Sequence, residues 1–161
     1  MEAVFHTIPP VFSEHSEILI LGTMPSPKSR EAAFYYAHPQ NRFWPALALV
    51  YGAEPPKTTG QKVALLLEHN LALWDVLKSC EITGASDASI RNPVANDISA
   101  LILKTQITRV LCTGSTSARL YRTLVEPLTH LPCTALPSPS AANARTSLEA
   151  LVCAYKAALL G

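Results

Sequence analysis

Apolar runs and polar stretches alternate along the chain in the order expected of an α/β protein. Short apolar runs predict buried strands at 17–22, 71–75, 109–114 and 133–136. Apolar residues at helical spacing predict helices over 40–50, 60–70, 96–104, 115–124 and 145–160. This alternation predicts one domain over residues 1–161, a three-layer α/β/α sandwich with a mainly parallel four-stranded central sheet.

Local signals place several boundaries of these elements. Pro45 is tolerated only in the first turn of a helix, so the helix over 40–50 should start near Asn41. Asn96 is predicted to cap a helix that ends near Lys104, and the last helix is predicted to start at Arg145. Residues 80–95, which are rich in Ser, Gly, Asn and Pro, are predicted to be a loop.

The segments that follow the four strands carry the unusual polar chemistry of the chain. They are residues 22–29, 74–75, 113–115 and 137–143. Open α/β sheets bind ligands beyond the carboxyl ends of their strands, so these segments are predicted to meet at one edge.

Composition narrows the functional classes. Of 161 residues, 48% are hydrophobic and 16% charged, which excludes a disordered chain. Neither a signal peptide nor an apolar run of transmembrane length is recognisable, so we expect a cytoplasmic protein. The net charge of +1 argues against non-specific coating of nucleic acid but suits an enzyme that touches a few phosphates.

The four cysteines do not form a metal-binding pattern. Cys80, Cys112, Cys133 and Cys153 lie far apart and include no CxxC pair. They are predicted to be buried free thiols, with no metal site and no cofactor.

Three motifs carry candidate chemistry. Gly22-Thr23-Met24-Pro25-Ser26 is a stiff loop whose hydroxyls and amides suit a heterocycle or phosphate, or else an ordinary turn. The segment 35–44, YYAHPQNRFW, offers aromatic faces, an amide and an arginine. The alternative explanation is that Phe43 and Trp44 are core residues and that Asn41 only caps the helix. The segment 137–145, PSPSAANAR, is a rigid small-residue loop, or a plain proline-rich turn.

Taken together, these three motifs resemble the uracil-DNA glycosylase superfamily and, more narrowly, its hypoxanthine-DNA (deoxyinosine) glycosylase branch. The resemblance spans about residues 17–156, and the string HPQNRFW is its most specific part. Met24 stands where many members carry a polar group that handles water, and Ser138 stands where classical uracil enzymes carry a histidine. Both departures favour the hypoxanthine branch, in which the Asn of the HPQN string, here Asn41, is held to be catalytic.

The resemblance implies a set of site residues. Asn41 is the expected catalytic group, either orienting water or bonding to the base. The expected base pocket comprises Gly22, Thr23, Met24, Pro25, Ser26, Tyr35, Tyr36, His38 and Phe43. The expected DNA-binding residues are Arg42, Ser138, Pro139, Ser140, Ala141, Ala142, Asn143 and Arg145. No pair of carboxylates is marked for sugar hydrolysis, and Asp75, Asp87 and Asp97 are each predicted to make a helix cap or loop hydrogen bond.

The implied function is a monofunctional base-excision repair glycosylase that flips a deaminated base, most readily hypoxanthine, and leaves an abasic site. Its expected partner is double-stranded DNA, with single-stranded DNA left open, and it is expected to act as a monomer at the nucleoid without a cofactor. Two alternatives remain at this stage. One is a uracil, mismatch-specific or broad-range glycosylase that also takes xanthine. The other is a non-catalytic module that binds damaged DNA; a generic interaction domain ranks last.

Overall fold

A computed structural model describes residues 1–161. The order of elements is β1 (Glu2–Phe5), β2 (Ile18–Gly22), α1 (Pro27–Ala32), α2 (Phe43–Tyr51), α3 (Thr59–Glu68), β3 (Leu71–Asp75), β4 (Leu77–Ile82), β5 (Arg91–Ala95), α4 (Ile98–Leu103), β6 (Arg109–Thr113), α5 (Ser115–Leu124), α6 (Glu126–Thr129), β7 (Cys133–Leu136) and α7 (Leu148–Leu160). None of these helices combines the length and the apolar character needed to cross a membrane.

Four strands form the parallel sheet predicted from the sequence. Their order is β3-β2-β6-β7, and every neighbouring pair is parallel. In this register Ile18 lies between Leu71 on β3 and Arg109 on β6. The predicted α/β architecture is therefore confirmed, with helices on both faces of the sheet.

Alternation along β2 divides the interior into two cores. Ile18 and Ile20 face one core, which contains the buried residues of α2, α3 and α7. Leu19 and Leu21 face the other, which contains those of α4, α5 and the strands outside the parallel sheet. Because successive side chains of a strand point to opposite faces, a strand covered on both faces must be apolar throughout, and all five residues of β2 are buried.

The prediction of a loop over residues 80–95 is wrong. Much of this region forms β4 and β5, which pair with β1 in a second, antiparallel sheet of order β1-β4-β5. The signal was weak because β4 includes Ser79 and Glu81, while β5 includes Asn92 and Pro93. Proline is tolerated here because β5 is an edge strand.

The two sheets meet at a sharp corner. β3 ends at Asp75 and β4 begins at Leu77, with only Val76 between them. The buried Asn96 donates hydrogen bonds from its amide to the carbonyls of Asp75, at 2.9 Å, and Leu77, at 3.0 Å. Asn96 therefore fixes this corner and is not the predicted helix cap; Asp97 caps α4 by accepting from the Ala100 N–H.

Other boundaries and burial states also differ from prediction. The last helix starts at Leu148 with Ser147 as its cap, so Arg145 lies in the preceding loop. The segment after β2 includes the short helix α1, which was predicted to be part of a loop. All four cysteines are free thiols, but only Cys80 and Cys112 are buried, whereas Cys153 is exposed.

Candidate active site

A cavity of about 870 Å³ lies at the carboxyl edge of the parallel sheet. The ends of all four parallel strands contribute to it, as the sequence predicted for this edge. A fifth contribution was not predicted: residue 82 at the end of β4 and residues 84–87 in the turn between β4 and β5 form part of the wall. Thus the antiparallel sheet also shapes the site.

The base of this cavity, here called the floor, is formed by Gly22, Tyr36 and Asp75. A Cβ atom at position 22 would lie 2.5 Å from Oδ1 of Asp75 and 3.0 Å from the Tyr36 hydroxyl. Only glycine leaves room for the carboxylate and phenol to approach the end of β2 so closely. The floor is therefore polar, although Asp75 is only 4% exposed.

The buried side chain of His6 contacts Asp75 and fixes the position of its carboxylate. Nε2 of His6 lies 2.8 Å from Oδ2 of Asp75, and the two side chains are 1% and 6% exposed. His6 follows directly after β1, and its N–H donates to the Lys78 carbonyl of β4. Oδ1 of Asp75 accepts no hydrogen bond from the protein, so it is available to a molecule in the cavity.

Tyr36 adopts an unusual backbone conformation. Its φ of 53° lies in the left-handed region, which non-glycine residues rarely adopt. Its ring stacks on Phe43 at a centroid distance of 4.1 Å, and its hydroxyl lies 2.9 Å from Oγ1 of Thr113. Burial, followed by the nearby charge of Asp75, raises the pKa of Tyr36, so the phenol stays neutral.

The aromatic residues of the YYAHPQNRFW segment do not all face the cavity. Phe43 is fully buried behind Tyr36 and does not line the cavity, so its predicted contact with a base is wrong. Tyr35 reaches the cavity wall, but it is 2% exposed and its hydroxyl bonds to the carbonyls of Ile8 and Pro9. Tyr36 is the aromatic residue best placed to contact a ligand.

Asn41 lines the cavity close to its mouth and is half-buried. Its Oδ1 accepts a hydrogen bond of 2.9 Å from the Phe43 N–H at the start of α2. Its NH2 group has no hydrogen-bond partner within the protein. The Asn41 oxygen thus accepts from the first N–H of α2, and its NH2 group is left free to donate a hydrogen bond in the cavity.

Arg42 does not extend toward solvent as a phosphate ligand would. Its guanidinium donates to the carbonyls of Ser140 and Asn143, each at 3.0 Å, and to that of Thr146. Its Nε and backbone N–H both donate to the Pro139 carbonyl. The predicted phosphate contact is therefore wrong, because the guanidinium is consumed in holding the loop that follows β7.

That loop, residues 137–146, is here called the wedge loop. Ser138, Pro139, Ser140, Ala142 and Asn143 line the cavity, whereas Ala141 and Arg145 are exposed outside its lining. The Asn143 amide is already bonded to the Ser138 carbonyl and to the Thr146 hydroxyl. Small exposed side chains therefore form the tip of a loop whose backbone is fixed by Arg42.

The loop after β2 supplies free backbone donors. Gly22, Thr23, Met24, Pro25 and Ser26 all line the cavity. The Ser26 hydroxyl caps α1, whereas the N–H groups of Thr23 and Ser26 donate no hydrogen bond within the protein. Met24 packs against the second core, so it brings no polar group to the site.

His38 lies outside the cavity lining and is exposed. Its Nδ1 accepts a hydrogen bond of 3.1 Å from the Gln40 N–H, which shapes the turn before Asn41. Two features of the site were not predictable from the sequence. His6 carries no motif, and the β4–β5 turn lies in the region mistaken for a loop. Asp75 was placed at the correct edge by topology, but no chemical role was predicted for it.

A polar cavity at the carboxyl edge of a parallel sheet, beside a fixed loop of small residues, defines a ligand-binding α/β protein of the open-sheet class. The comparison with known families makes the assignment specific. The family described as "Uracil DNA glycosylase superfamily" matches residues 9–160. The chain belongs to this superfamily.

Individual relatives point in the same direction. The chain is 34% identical over 140 residues to a protein of Methanosarcina acetivorans named "Hypoxanthine DNA glycosylase", an alignment covering 86% of this chain and 88% of the relative. A protein of the same name from Methanosarcina barkeri is 36% identical over 94 residues, covering 58% of this chain and 60% of the relative. The solution NMR structure of a candidate uracil DNA glycosylase from Methanosarcina acetivorans has a TM-score of 0.80 at 27% identity, covering 97% and 98% of the two chains.

Proposed function

We propose that this chain is a monofunctional DNA glycosylase that removes hypoxanthine from DNA and leaves an abasic site. The observation that carries this proposal is the free NH2 group of Asn41 at the mouth of a polar cavity large enough for a purine. Membership of the superfamily and the two hypoxanthine glycosylase relatives support the choice of reaction and base. In this proposal the enzyme acts as a monomer on double-stranded DNA.

The reaction is a hydrolysis. The bond between C1′ of the sugar and N9 of hypoxanthine breaks, and its electron pair stays with the base. Positive charge develops on the sugar and negative charge on the base until water adds to C1′. The water loses one proton and the base gains one, so the products are free hypoxanthine and an abasic sugar.

Asn41 is the proposed catalytic residue. Because its Oδ1 is bonded to the Phe43 N–H, its NH2 group is the part free to donate a hydrogen bond. We expect it to bond to the departing base, where a fixed donor stabilises the growing negative charge. The free N–H groups of Thr23 and Ser26 are the proposed donors to the oxygen of the same base.

The wedge loop is the proposed element that enters the duplex. A base reaches a pocket of this kind only after rotating out of the helix, which leaves a gap in the stack. Ala141 and Ala142, exposed at the tip, are small enough to fill that gap without clashing with the neighbouring bases. Arg145 and His38 are exposed residues, and we propose that they contact phosphates.

Base release under single-turnover conditions tests this proposal. Duplexes containing hypoxanthine, uracil or xanthine are incubated with the wild type, Asn41→Ala and the matched control Gln40→Ala, whose side chain is exposed beside the site. We expect the wild type to release hypoxanthine fastest. Asn41→Ala should lose about 10²-fold or more, the scale for removing one transition-state donor, while Gln40→Ala should match the wild type.

Each other outcome has a defined meaning. Faster release of uracil would assign the chain to the uracil-directed members of its superfamily. Tight binding without release of any base would replace the enzyme with a module that binds damaged DNA. Equal losses in Asn41→Ala and Gln40→Ala would remove Asn41 from the chemistry.

A further inference from the structure

A second carboxylate lines the cavity, in the turn between β4 and β5. Asp87 is exposed there, whereas Asp75 at the floor is 4% exposed and bonded to His6. Asp87 begins a single 3₁₀ turn, Asp87–Ser89. Exposed residues of the lining lie toward the mouth of the cavity, so Asp87 lies at the same end of the cavity as Asn41.

Hydrogen bonds within this turn fix the backbone on both sides of Asp87. The Thr83 N–H donates to the Ser89 hydroxyl, at 2.8 Å, and that hydroxyl donates to the Ser86 carbonyl, at 2.7 Å. The N–H of Ser89 also donates to the Ser86 carbonyl, and the N–H of Ile90 donates to the Asp87 carbonyl. The Asp87 carboxylate takes part in none of these bonds. The backbone therefore holds the residue at the cavity wall and leaves its carboxylate for other contacts.

Hydrolysis requires an acceptor for the proton that the attacking water loses. Asn41 does not supply one, because its amide is not basic and its oxygen is bonded to the Phe43 N–H. Burial raises the pKa of Tyr35 and of Tyr36, so both phenols stay neutral and are poor proton acceptors. No histidine, glutamate, lysine or cysteine lines the cavity. The two aspartates are therefore its remaining proton acceptors.

Depth distinguishes the two aspartates. An extruded nucleotide remains attached to its strand, so its sugar stays near the mouth while its base enters the cavity. We propose that Asp87 is a catalytic residue, whose carboxylate accepts a proton from the water that attacks the sugar. This inference rests on the proposed glycosylase function and adds the group that activates the water.

The proposed step conserves protons and electrons. As the water oxygen bonds to C1′, one of its O–H bonds breaks and the proton passes to an oxygen of Asp87. The electron pair of the bond between C1′ and N9 leaves with the base, which takes a proton from solvent, and Asp87 returns its own proton to solvent. While it is ionised, the same carboxylate stabilises the positive charge on the sugar.

The surroundings of Asp87 make it a better base than a free aspartate. Loss of hydration raises the pKa of Asp87, although the Thr116 hydroxyl of α5 partly opposes the rise. A carboxylate with a raised pKa accepts a proton more readily, provided that it remains ionised at the working pH.

The negative charge of Asp87 argues against a role in holding DNA. A carboxylate at the mouth of the cavity repels the phosphates of an approaching strand. Removing this charge should therefore leave duplex binding as tight as in the wild type, or tighter, while it slows base release. A residue that only shaped the wall would lose binding and release together.

Parallel measurements of release and binding test this assignment. Single-turnover release of hypoxanthine and of uracil is compared in the wild type, Asp87→Asn and Asp87→Ala. Binding is measured with a duplex that contains 2′-fluoro-2′-deoxyinosine, in which the fluorine prevents cleavage. Asp97→Asn is the matched control, because Asn is an equally good helix cap at that position. Thermal unfolding shows that each variant is folded.

A small carboxylate supplied in solution provides the second test. Because Asp87 is exposed, formate can reach the space that Asp87→Ala leaves. Release by Asp87→Ala is measured with sodium formate and with sodium chloride at the same ionic strength. Formate should restore part of the lost rate in this variant and leave the wild type unchanged.

We expect both Asp87 variants to release both bases about 10²-fold more slowly than the wild type, the scale for one general base. The two bases should be affected alike because the sugar chemistry is common to them. Duplex binding should be unchanged or tighter, and Asp97→Asn should match the wild type.

The possible failures are distinguishable. Wild-type release in Asp87→Asn, or a loss that follows weaker duplex binding, would overturn the inference. A slow Asp87→Ala that formate does not accelerate would also overturn it, since Asp87 would then shape the wall without accepting a proton. If the wild type releases neither base while it binds the duplex, the proposed function itself fails.

Discussion

The mouth of the cavity, here called the rim, is formed by Asn41 and the wedge loop. The rim and the floor of the cavity are stabilised in opposite ways. At the rim, Arg42 binds backbone carbonyls of the wedge loop, so this region is held by its main chain while small side chains face outward. At the floor, the side chain of His6 bonds to Asp75. Gly22 has no side chain, which leaves room for the Asp75 carboxylate. A rim fixed in this way suits contact with a duplex of any sequence, whereas a floor of oriented polar atoms suits recognition of one chemical pattern.

This difference predicts separate functions for the two regions: the rim should set the rate of base release, and the floor should set the preference among bases. Asn41 belongs to the rim, where the sugar and the bond to be broken are expected. Asp75 belongs to the floor, where the far edge of the base is expected. Changes at the rim should therefore lower release of every substrate alike, and changes at the floor should alter the ranking of substrates.

The largest effect is expected from Gly22→Ala. The added methyl would lie 2.5 Å from Oδ1 of Asp75, so the floor must shift. Displacements of about 1 Å at a reacting site cost about 10²-fold in rate, and we expect a loss of this size in hypoxanthine release. Gly60→Ala, where no side chain lies closer than 4.0 Å to the added methyl, is the control measured in the same assay. Wild-type rates in Gly22→Ala would show that the close approach is not needed.

The next effect is expected from Arg42→Lys. Lysine keeps the charge but cannot reach the separate carbonyls of Pro139, Ser140, Asn143 and Thr146 with one ammonium group. We expect release from duplex DNA to fall about 10-fold, with hypoxanthine and uracil affected equally. Arg119→Lys on the exposed surface of α5 is the matched control. A change in the ratio of the two substrates would contradict the separation of rim from floor.

The smallest effect is expected from Tyr36→Phe. This change removes the hydroxyl that lies 2.9 Å from Thr113 and keeps the ring stacked on Phe43. The free energy of unfolding should fall by about 1 kcal/mol, measured by urea denaturation, with a loss of only a few-fold in release. A large loss of activity at unchanged stability would make the hydroxyl part of the chemistry.

The parts of the site that follow from local pattern and from strand topology could be predicted from the sequence. The strand ends at Gly22, Asp75 and Leu136 are apolar runs closed by glycine, aspartate or proline, and parallel topology brings such ends together. Asn41 was recognised because its neighbours form a specific string. These inferences needed only local pattern and a known rule of sheet architecture.

The remaining parts depend on contacts between distant residues. His6 reaches Asp75 across 69 positions, through pairing between β1 and β4 that no local pattern reveals. The direction of Arg42 differs from the prediction because an arginine beside a catalytic motif suggests a phosphate contact, whereas the wedge loop, about a hundred residues away, supplies carbonyl acceptors. The burial of Phe43 could not be predicted, because the sequence alone does not show whether an aromatic residue faces a ligand or a core.

A crystal structure with a duplex that contains 2′-fluoro-2′-deoxyinosine tests the central claim most directly. Fluorine beside C1′ disfavours positive charge on the sugar, so the base should stay attached in the cavity. The account predicts hypoxanthine rotated out of the duplex into the cavity, the NH2 group of Asn41 within about 3 Å of the base, and Ala141 and Ala142 in the gap left in the duplex. A base still stacked in the helix, or one seated in the cavity without contact to Asn41, would contradict it.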